Sequence, residues 1–505
     1  MTEGTRSRLI LGASTVLATF LYSIDSTIVN VALPHIQGTL QATQDQAAWI
    51  ATAYIVVSAI LTPLAGWLGT RFGLRPILIT SVIGFTTFSI LCGLATSLPQ
   101  MVVFRSLQGA FGAALLPLSQ VALLQEFSRE SYARVMPIWA TASMVGPIIG
   151  PTLGGYLTDS FSWRWAFYVN LPIGVLAWLG FSLSMPKRNR STHRPFDMTG
   201  FVLLSFSIGL VQLMLDRGQG NDWFESPEIV AEAFFASVSL FMFLVHSFTH
   251  RHPFVDLQLF RDRNFTLCLL IQGSVGAFMM APSVLLPSFL QQLQGYTPAQ
   301  AGALMATRGA AAVFAMLVMG RLSAKIDARY TMLTGVLLGT ATLWWMTGFS
   351  IDTPATIFAI SGLFLGLTMP LVFIPAQLIA FATLPEASRT EAGVLLRLAI
   401  NIGGSVGISI VVAQLARSMQ ISSSHLSEFF TPYSTDRWQA IGGTPGPNVV
   451  TGTMLGEIGR QALALAYNHD FQMLAAMSLV CIPLILLLRR AGTVTAPADP
   501  SDLSH

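Results

Sequence analysis

The sequence predicts an all-α membrane protein that crosses the bilayer fourteen times. Three observations support this class. Hydrophobic residues make up 53% of the 505 residues and charged residues only 10%, against about 25% charged in a typical soluble domain. Long apolar segments recur along the chain, and its mean hydropathy is +0.62. Lysine and arginine are concentrated in every second one of the segments that connect these apolar stretches. A soluble globular protein is therefore excluded.

The apolar segments are long enough to be transmembrane helices, because a helix needs about 20 mostly apolar residues to cross a bilayer. The first segment lacks the small-residue cleavage site of a signal peptide, so we expect it to remain as a transmembrane helix. The predicted spans are 9–33, 47–69, 77–97, 101–125, 134–158, 166–185, 198–215, 230–249, 265–290, 299–322, 330–349, 355–380, 390–416 and 466–488.

The positive charges predict the orientation of these spans. With the N-terminus in the cytoplasm, 19 of the 27 lysines and arginines fall in cytoplasmic segments and 5 in opposite ones. The other three, Arg105, Arg308 and Arg397, lie within spans. Cytoplasmic loops carry the excess of positive residues in membrane proteins. Because an odd number of spans would destroy the alternation, the charges predict fourteen spans and two cytoplasmic termini.

An internal repeat divides the chain. GWLGTRFGLR at 66–75 follows the second span, and GRLSAKIDAR at 320–329 follows the tenth, 254 residues later. At the same offset, glycine-rich segment 146–155 falls on glycine-bearing segment 400–409. Two parallel six-helix repeats form a transporter architecture with its binding site between the halves. The predicted domains are a six-helix bundle at 1–190, two inserted helices at 191–260, and a second six-helix bundle at 261–505.

Asp25 is the most informative single residue. It lies in LYSIDSTIVNVALP (21–34), and no other charged residue lies between Leu9 and Leu33. An ionisable residue inside a span is costly and marks function by default. Asp25 either carries a proton, because burial disfavours the charged form of a carboxyl group, or is a structural carboxylate permanently paired with an arginine. Asn30 is a polar neighbour of Asp25 and a candidate cavity residue.

Three arginines within spans are further candidates. Arg105 and Gln108 are three residues apart and share a helix face. Because arginine stays protonated, Arg105 can influence a carboxylate but cannot carry the proton. The alternative role for Arg105 is an inward-pointing anchor at the cytoplasmic end of its span. Arg308 lies in the tenth span, and Arg397 and Asn401 are four residues apart in the thirteenth. We expect these residues near the cavity.

The fifth span contains GPIIGPTLGG, with small residues spaced every four positions. This spacing lets two helix backbones touch, and prolines bend a helix. Ordinary helix packing is the alternative, but the density of glycine and proline favours a hinge or a close interface between the halves. The residues concerned are Gly146, Pro147, Gly150, Pro151, Gly154 and Gly155.

Cofactor chemistry is not expected. His246 and His250 share a face at the inner end of the eighth span, but no third metal ligand is in view. The chain contains no phosphate-binding loop, no HExxH and no dinucleotide fingerprint. We therefore predict no metal site, no enzyme and no ATP-driven pump, with the proton as the coupling ion.

Four motifs resemble, in order and spacing, the signatures of drug:proton antiporters of the major facilitator superfamily: IDSTIVNVALP, GWLGTRFGLRP, RSLQGAFGAALLP and GPIIGPTLGG. Fourteen spans resemble the EmrB/QacA-like branch, and segments 215–226 and 255–266 look like EmrB-type exporters. The resemblance implies a major facilitator fold and proton-coupled export of hydrophobic compounds by alternating access. It assigns proton coupling to Asp25 and Arg105 and the antiport motif to the glycines and prolines of 146–155. It also implies a gating loop with Gly66, Arg71, Gly73 and Arg75.

The sequence departs from the family pattern at two places. Thr70 stands where the gating loop usually has an acid. Members that handle dications often add acids in later spans, where this chain has Arg308 and Arg397. This difference implies neutral or weakly acidic hydrophobic substrates.

The resemblance also implies a location and partners. It places the protein in the bacterial inner membrane among lipids, with a periplasmic EmrA-like adaptor, a TolC-like outer-membrane channel and no nucleic acid. The polar segment 417–465 is either an adaptor contact or a tolerated insertion. A symporter or facilitator for a nutrient or lipid, and a sensor that binds without transport, are the competing interpretations.

Overall fold

The computed structural model describes residues 3–127, 129–186, 196–322, 326–385, 388–428 and 449–489. Within these ranges the chain forms α-helices and two short 3₁₀ turns, at Trp223–Glu225 and Leu257–Arg261. This confirms the predicted all-α class. The helices are α1 (Glu3–Leu40), α2 (Gln44–Phe72), α3 (Leu74–Leu94), α4 (Leu98–Gly112), α5 (Leu115–Glu126), α6 (Arg129–Ser160), α7 (Trp165–Tyr168), α8 (Asn170–Ser184), α9 (Met198–Arg217), α10 (Pro227–Thr249), α11 (Arg263–Met280), α12 (Pro282–Gln292), α13 (Pro298–Leu322), α14 (Ala328–Met346), α15 (Ala355–Ala382), α16 (Arg389–Glu428), α17 (Val449–Leu479) and α18 (Cys481–Leu486).

Helices lie at every predicted span. Among the described residues, 12 helical segments are long and apolar enough to cross a membrane. The two predicted spans outside this set, 134–158 and 330–349, coincide with α6 and α14. The sequence of α6 contains glycine, proline and hydroxyl residues among its apolar residues, and that of α14 contains threonine and glycine. Both helices are long enough to cross a membrane, but these residues make their mean hydropathy lower than that of the other spans. The count of fourteen crossings stays a prediction.

Much of the polar segment 417–465 is helical, although its sequence suggested a loop. α16 continues to Glu428 and α17 begins at Val449, so both helices extend into this segment. Residues 429–448 lie outside the described ranges. Any adaptor contact would therefore involve two helix ends as well as the connection between them.

A closely packed, glycine-mediated helix pair occurs at corresponding places in the two bundles. α1 packs along α6 in the first bundle, and α11 packs along α16 in the second. Gly146 of α6 approaches α1 so closely that a Cβ would lie 2.5 Å from Ser23 Cβ. Gly403 of α16 faces the backbone of Gly273 in α11 in the same manner. The recurrence agrees with the internal repeat, while the domain boundaries stay predictions.

The inserted helices contact both bundles through α9. Asp216 of α9 accepts a hydrogen bond from Thr52 of α2 in the first bundle. Gln212 Nε2 donates to Ser405 Oγ of α16 in the second bundle at 2.9 Å. α10 packs on α9, and Ser239 Oγ donates to the carbonyl of Leu203 at 2.7 Å. The inserted helices therefore pack at the boundary between the two bundles.

The buried apolar core is continuous across that boundary. Its largest cluster fills the second bundle, around Phe265, Phe289 and Tyr467, and reaches Leu123 and Trp139 of the first bundle. Burial of apolar side chains against neighbouring helices thus holds the two halves together in this conformation.

Candidate functional site

Asp25 is the centre of a buried polar cluster in the first bundle. Its side chain is 0% exposed. Asp25 Oδ2 lies 2.7 Å from Nη1 of Arg105. Asp25 Oδ1 accepts from Gln108 Nε2 at 2.8 Å and from Asn170 Nδ2 at 2.7 Å. Helices α1, α4 and α8 therefore bring together one carboxylate and three donors.

Arg105 is as deeply buried as its partner. Nη1 also donates to Gln108 Oε1 at 2.8 Å, and Nε donates to the carbonyl of Ile50 at 3.4 Å. The guanidinium carbon lies 4.1 Å from the centroid of the Tyr54 ring, where a cation–π interaction is favourable. Arg105 is thus a counterion inside the bundle and not an anchor. In the predicted orientation it lies in the outer half of the fourth span, so the expected position at the cytoplasmic end was wrong.

The cluster provides hydrogen-bond partners for both side-chain oxygens of Asp25. Three nitrogen donors point at the two carboxylate oxygens. Removing one partner of a buried ion pair costs about 3–5 kcal/mol, because the other charge is left uncompensated. Asp25 and Arg105 therefore compensate for each other's burial.

Sequence reasoning missed Asn170. It lies at the start of α8, where Nδ2 also donates to Ser89 Oγ at 2.9 Å. Ser89 in turn donates to the carbonyl of Phe167 at 2.9 Å. The available signal was an asparagine inside an otherwise apolar span, AFYVNLPIGVLAWLG. Asn170 links the carboxylate on α1 to α3 and α8.

Asp470 is a second buried acid that sequence reasoning missed. It lies in α17, inside the predicted span 466–488, and is 0% exposed. Neither Oδ1 nor Oδ2 has a hydrogen-bond partner within the described part of the chain. Tyr467, three residues earlier, places its hydroxyl 3.4 Å from Gln292 Oε1. Asp470 contrasts with Asp25, because no cation among the described residues forms an ion pair with it.

The other predicted cavity arginines lie outside the Asp25 cluster. Arg308 donates from Nη1 to Ser283 Oγ at 2.9 Å and from Nη2 to the carbonyl of Met279 at 2.7 Å. Its contacts are therefore within the second bundle.

Arg397 faces the first bundle. Its guanidinium lies beside the hydroxyl of Tyr22 on α1. The Tyr22 ring centroid is 6.1 Å from that of Tyr54, which stacks on Arg105. Asn401 lies one turn further along α16. A series of side-chain contacts through Tyr22 and Tyr54 thus links Arg397 to Arg105. The side chain of Asn30 is outside the described part of the structure.

The glycine stripe of α6 packs against α1 of the same bundle and not across the interface between the halves, while a hinge at this motif stays a prediction. A Cβ on Gly154 would lie 2.8 Å from Ile28 Cγ1, and Gly150 faces Thr27 Oγ1. Gly155 is looser, with Val31 at 3.8 Å. The stripe flanks Asp25 because small residues let α6 approach the same turns of α1. The side chains of Pro147 and Pro151 are not among those described.

The predicted gating loop touches both bundles. Gly73 joins α2 to α3 with a φ of 89°, a conformation that favours glycine. Arg75 Nη2 donates to the carbonyl of Ser182 in α8 at 2.9 Å. A Cβ on Gly66 would lie 3.1 Å from Val394 Cγ2 of α16. Arg71 lies in the last turn of α2. Gating by this loop stays a prediction.

An all-helical chain with twelve candidate spans and a buried ion pair has the form of a multi-pass membrane transporter. Residues 15–408 match the family model of the Major Facilitator Superfamily. The chain belongs to this superfamily and, within it, to an EmrB-like family.

Curated relatives cover nearly the whole chain. The chain is 33% identical over 478 residues to the multidrug export protein EmrB of Escherichia coli (strain K12), covering 93% of both proteins. It is 32% identical over 478 residues to the fatty acid resistance protein FarB of Neisseria gonorrhoeae, covering 94% of both. The colistin resistance protein EmrB of Acinetobacter baumannii is 26% identical over 490 residues, covering 95% of this chain and 96% of that protein.

A solved structure shares the fold. The human organic anion transporter MFSD10 aligns with a TM-score of 0.59 and 12% identity, covering 96% of this chain and 100% of that one. At this identity the likeness concerns architecture alone.

Proposed function

We propose that the protein is a proton-driven antiporter that exports hydrophobic compounds across the bacterial inner membrane by alternating access. The observation that carries the proposal is the fully buried Asp25, paired with Arg105 at 2.7 Å inside a transporter bundle. The names of the relatives, multidrug export and fatty acid resistance proteins, support the direction of transport and the kind of substrate.

Asp25 couples the proton to the conformational change. Ionised Asp25 is held by Arg105, Gln108 and Asn170, so α1, α4 and α8 stay joined. A proton on Asp25 removes the attraction and leaves Arg105 with Gln108 and the Tyr54 ring. A ligand shifts a two-state equilibrium by its differential affinity for the two states. Proton and substrate therefore compete through the same equilibrium.

The helix contacts provide a path from this event to the second bundle. Gly146 and Gly154 hold α6 against the turns of α1 that carry Asp25. α6 in turn packs along α13, where Thr141 Oγ1 lies 3.5 Å from Met316 Sδ. A shift of α1 against α6 is thus transmitted directly to the other half.

The substrates are neutral or weakly acidic hydrophobic molecules. Arg308 and Arg397 are the cationic groups within the spans of the second bundle, and no ion pair with an acid holds either of them among the described residues. Arginine interacts favourably with carboxylates and with aromatic faces. This chemistry disfavours dications and suits lipophilic acids.

The export path continues through partners. The helix ends of α16 and α17, with the segment between them, bind a periplasmic EmrA-like adaptor, which connects to a TolC-like outer-membrane channel. The excess of positive charge on one side supports this orientation, with both termini in the cytoplasm.

Transport in proteoliposomes tests the proposal. An imposed pH gradient drives accumulation of a lipophilic substrate by the wild type, and Asp25→Asn is expected to abolish gradient-driven transport. Substrate exchange without a gradient is the control, because it reports a folded carrier. Unchanged gradient-driven transport by Asp25→Asn would overturn proton coupling through this residue. Uptake running in the same direction as the proton would instead identify a symporter.

A further inference from the structure

Three side chains that can bind a metal meet at the inner ends of the inserted helices. Asp197 caps the N-terminus of α9, His246 lies in the last turn of α10, and His250 is the C-cap of α10. One ligand atom from each residue lies within 4.8 Å of the other two. His246 Nε2 is 2.9 Å from Asp197 Oδ1, and the two imidazole rings stack with centroids 4.8 Å apart. Asp197 lies 49 residues before His246 in the chain, so the sequence alone did not identify it as a third candidate ligand.

The carboxylate of Asp197 is held in place by hydrogen bonds. Oδ1 accepts from the Gly200 N–H and pairs with His246 Nε2, and Oδ2 accepts from the Phe254 N–H. The two backbone donors, at 2.9 and 3.0 Å, also fix the carboxylate in place. Oδ2 keeps a further lone pair, and Oδ1 regains one if a metal ion replaces the hydrogen bond with His246.

We propose that Asp197, His246 and His250 bind one transition-metal ion of the Zn²⁺ class. Two imidazoles and one carboxylate form a ligand set used by zinc, with a fourth position left for water. Calcium and magnesium prefer sites made of oxygen ligands. The site would connect the start of α9 to the end of α10.

The geometry needs only a small adjustment. Zinc–ligand bonds of about 2.0–2.2 Å place tetrahedral ligand atoms about 3.4 Å apart. The His246–Asp197 distance of 2.9 Å is already close to this value. His250 is exposed at the helix end, so its ring can rotate toward the other two ligands.

The competing explanation is a simple hydrogen-bonded pair between His246 and Asp197. Substitution of His250 distinguishes this explanation from a metal site. Such a pair does not need His250, whereas a metal site does. Asp197→Asn keeps a good helix cap but removes the anionic ligand. His252 provides a matched control, because it is exposed in the same segment but outside the three-residue cluster.

Calorimetric titration of the purified full-length protein with Zn²⁺ tests the site. We expect one ion per chain with micromolar affinity, binding at least tenfold weaker in His250→Ala and Asp197→Asn, and wild-type affinity in His252→Ala. Co²⁺ should give the visible absorption of a four-coordinate site in the wild type and lose it in His250→Ala. Thermal stability of His250→Ala without metal is expected to equal that of the wild type. Absence of saturable binding, or equal loss of binding in His252→Ala and His250→Ala, would overturn the proposal.

Discussion

Two buried acids in this protein have opposite surroundings. Asp25 receives three donors, including the cation Arg105, whereas Asp470 receives none within the described chain. A buried charge is tolerated when it is paired and is costly when it is not. The same substitution should therefore have opposite consequences at the two positions.

We expect Asp25→Asn to lower the free energy of unfolding by about 3–5 kcal/mol, because Arg105 is left as an unpaired buried cation. Asp470→Asn is expected to leave stability unchanged or raise it, since the amide keeps the shape of a buried carboxyl group that has no hydrogen-bond partner within the described chain. Thermal unfolding of both purified variants measures the contrast. Equal destabilisation at both positions would mean that Asp470 has a partner as important as Arg105.

A double-mutant cycle isolates the ion pair. Arg105→Gln alone should destabilise the protein, because the carboxylate of Asp25 is left buried without its cation. Asp25→Asn in the Arg105→Gln background should recover part of that loss, since no uncompensated charge remains. Thermal unfolding of the four proteins gives the coupling energy. Strictly additive losses would show that the two side chains do not act as a pair.

At the scale of helices, the glycine stripe of α6 determines how closely α1 can approach. Gly150 faces Thr27 Oγ1, while Gly155 in the same motif has only Val31 within reach, at 3.8 Å. The periodicity of the motif predicted a close helix contact. The partner could not be predicted from one helix, because small residues allow an approach from any neighbour with a matching surface.

Gly150→Ala should therefore destabilise the α1–α6 contact by about 1–3 kcal/mol, the usual cost of overpacking a tight site. Thr27→Ala should restore part of the loss, because it removes the hydroxyl that the new methyl group would meet. Gly155→Ala is the matched control and is expected to be neutral. Thermal unfolding compares the four proteins, and equal effects of Gly150→Ala and Gly155→Ala would contradict the contact.

For the whole molecule, patterns along one segment were predictable and contacts between distant segments were not. Composition and charge alternation predicted the helices, and spacing predicted that Arg105 and Gln108 share a face. The donors to Asp25 come from residues 80 to 145 positions away, a distance over which local periodicity carries no information. Asn170 was detectable as a polar residue in an apolar span, but its contact with Asp25, like that of Asp197 with His246, depends on how the fold brings the helices together.

Two of the contacts between the halves lie toward the same end of the molecule. Gly66 meets Val394 of α16, and Gln120 of α5 donates to Gln377 of α15. Both contacts lie toward the end that carries the 66–75 loop, the predicted cytoplasmic side. In an alternating-access transporter, contacts that hold one end closed stabilise one of two global states.

We therefore expect Gly66→Leu to shift the protein away from this closed arrangement, because even a Cβ at this position would lie 3.1 Å from Val394 Cγ2, and the rest of a leucine side chain would collide with it. Spin labels at exposed Phe72 and Ile326 can report the separation of the two halves, and the three native cysteines are buried. The label distance should increase in Gly66→Leu and return toward the wild-type value when Val394→Ala is added. Gly69→Ala is the control, because its neighbours Leu74 and Leu118 belong to the first bundle. An unchanged distance in Gly66→Leu, or an equal increase in Gly69→Ala, would show that the contact with Val394 does not control closure.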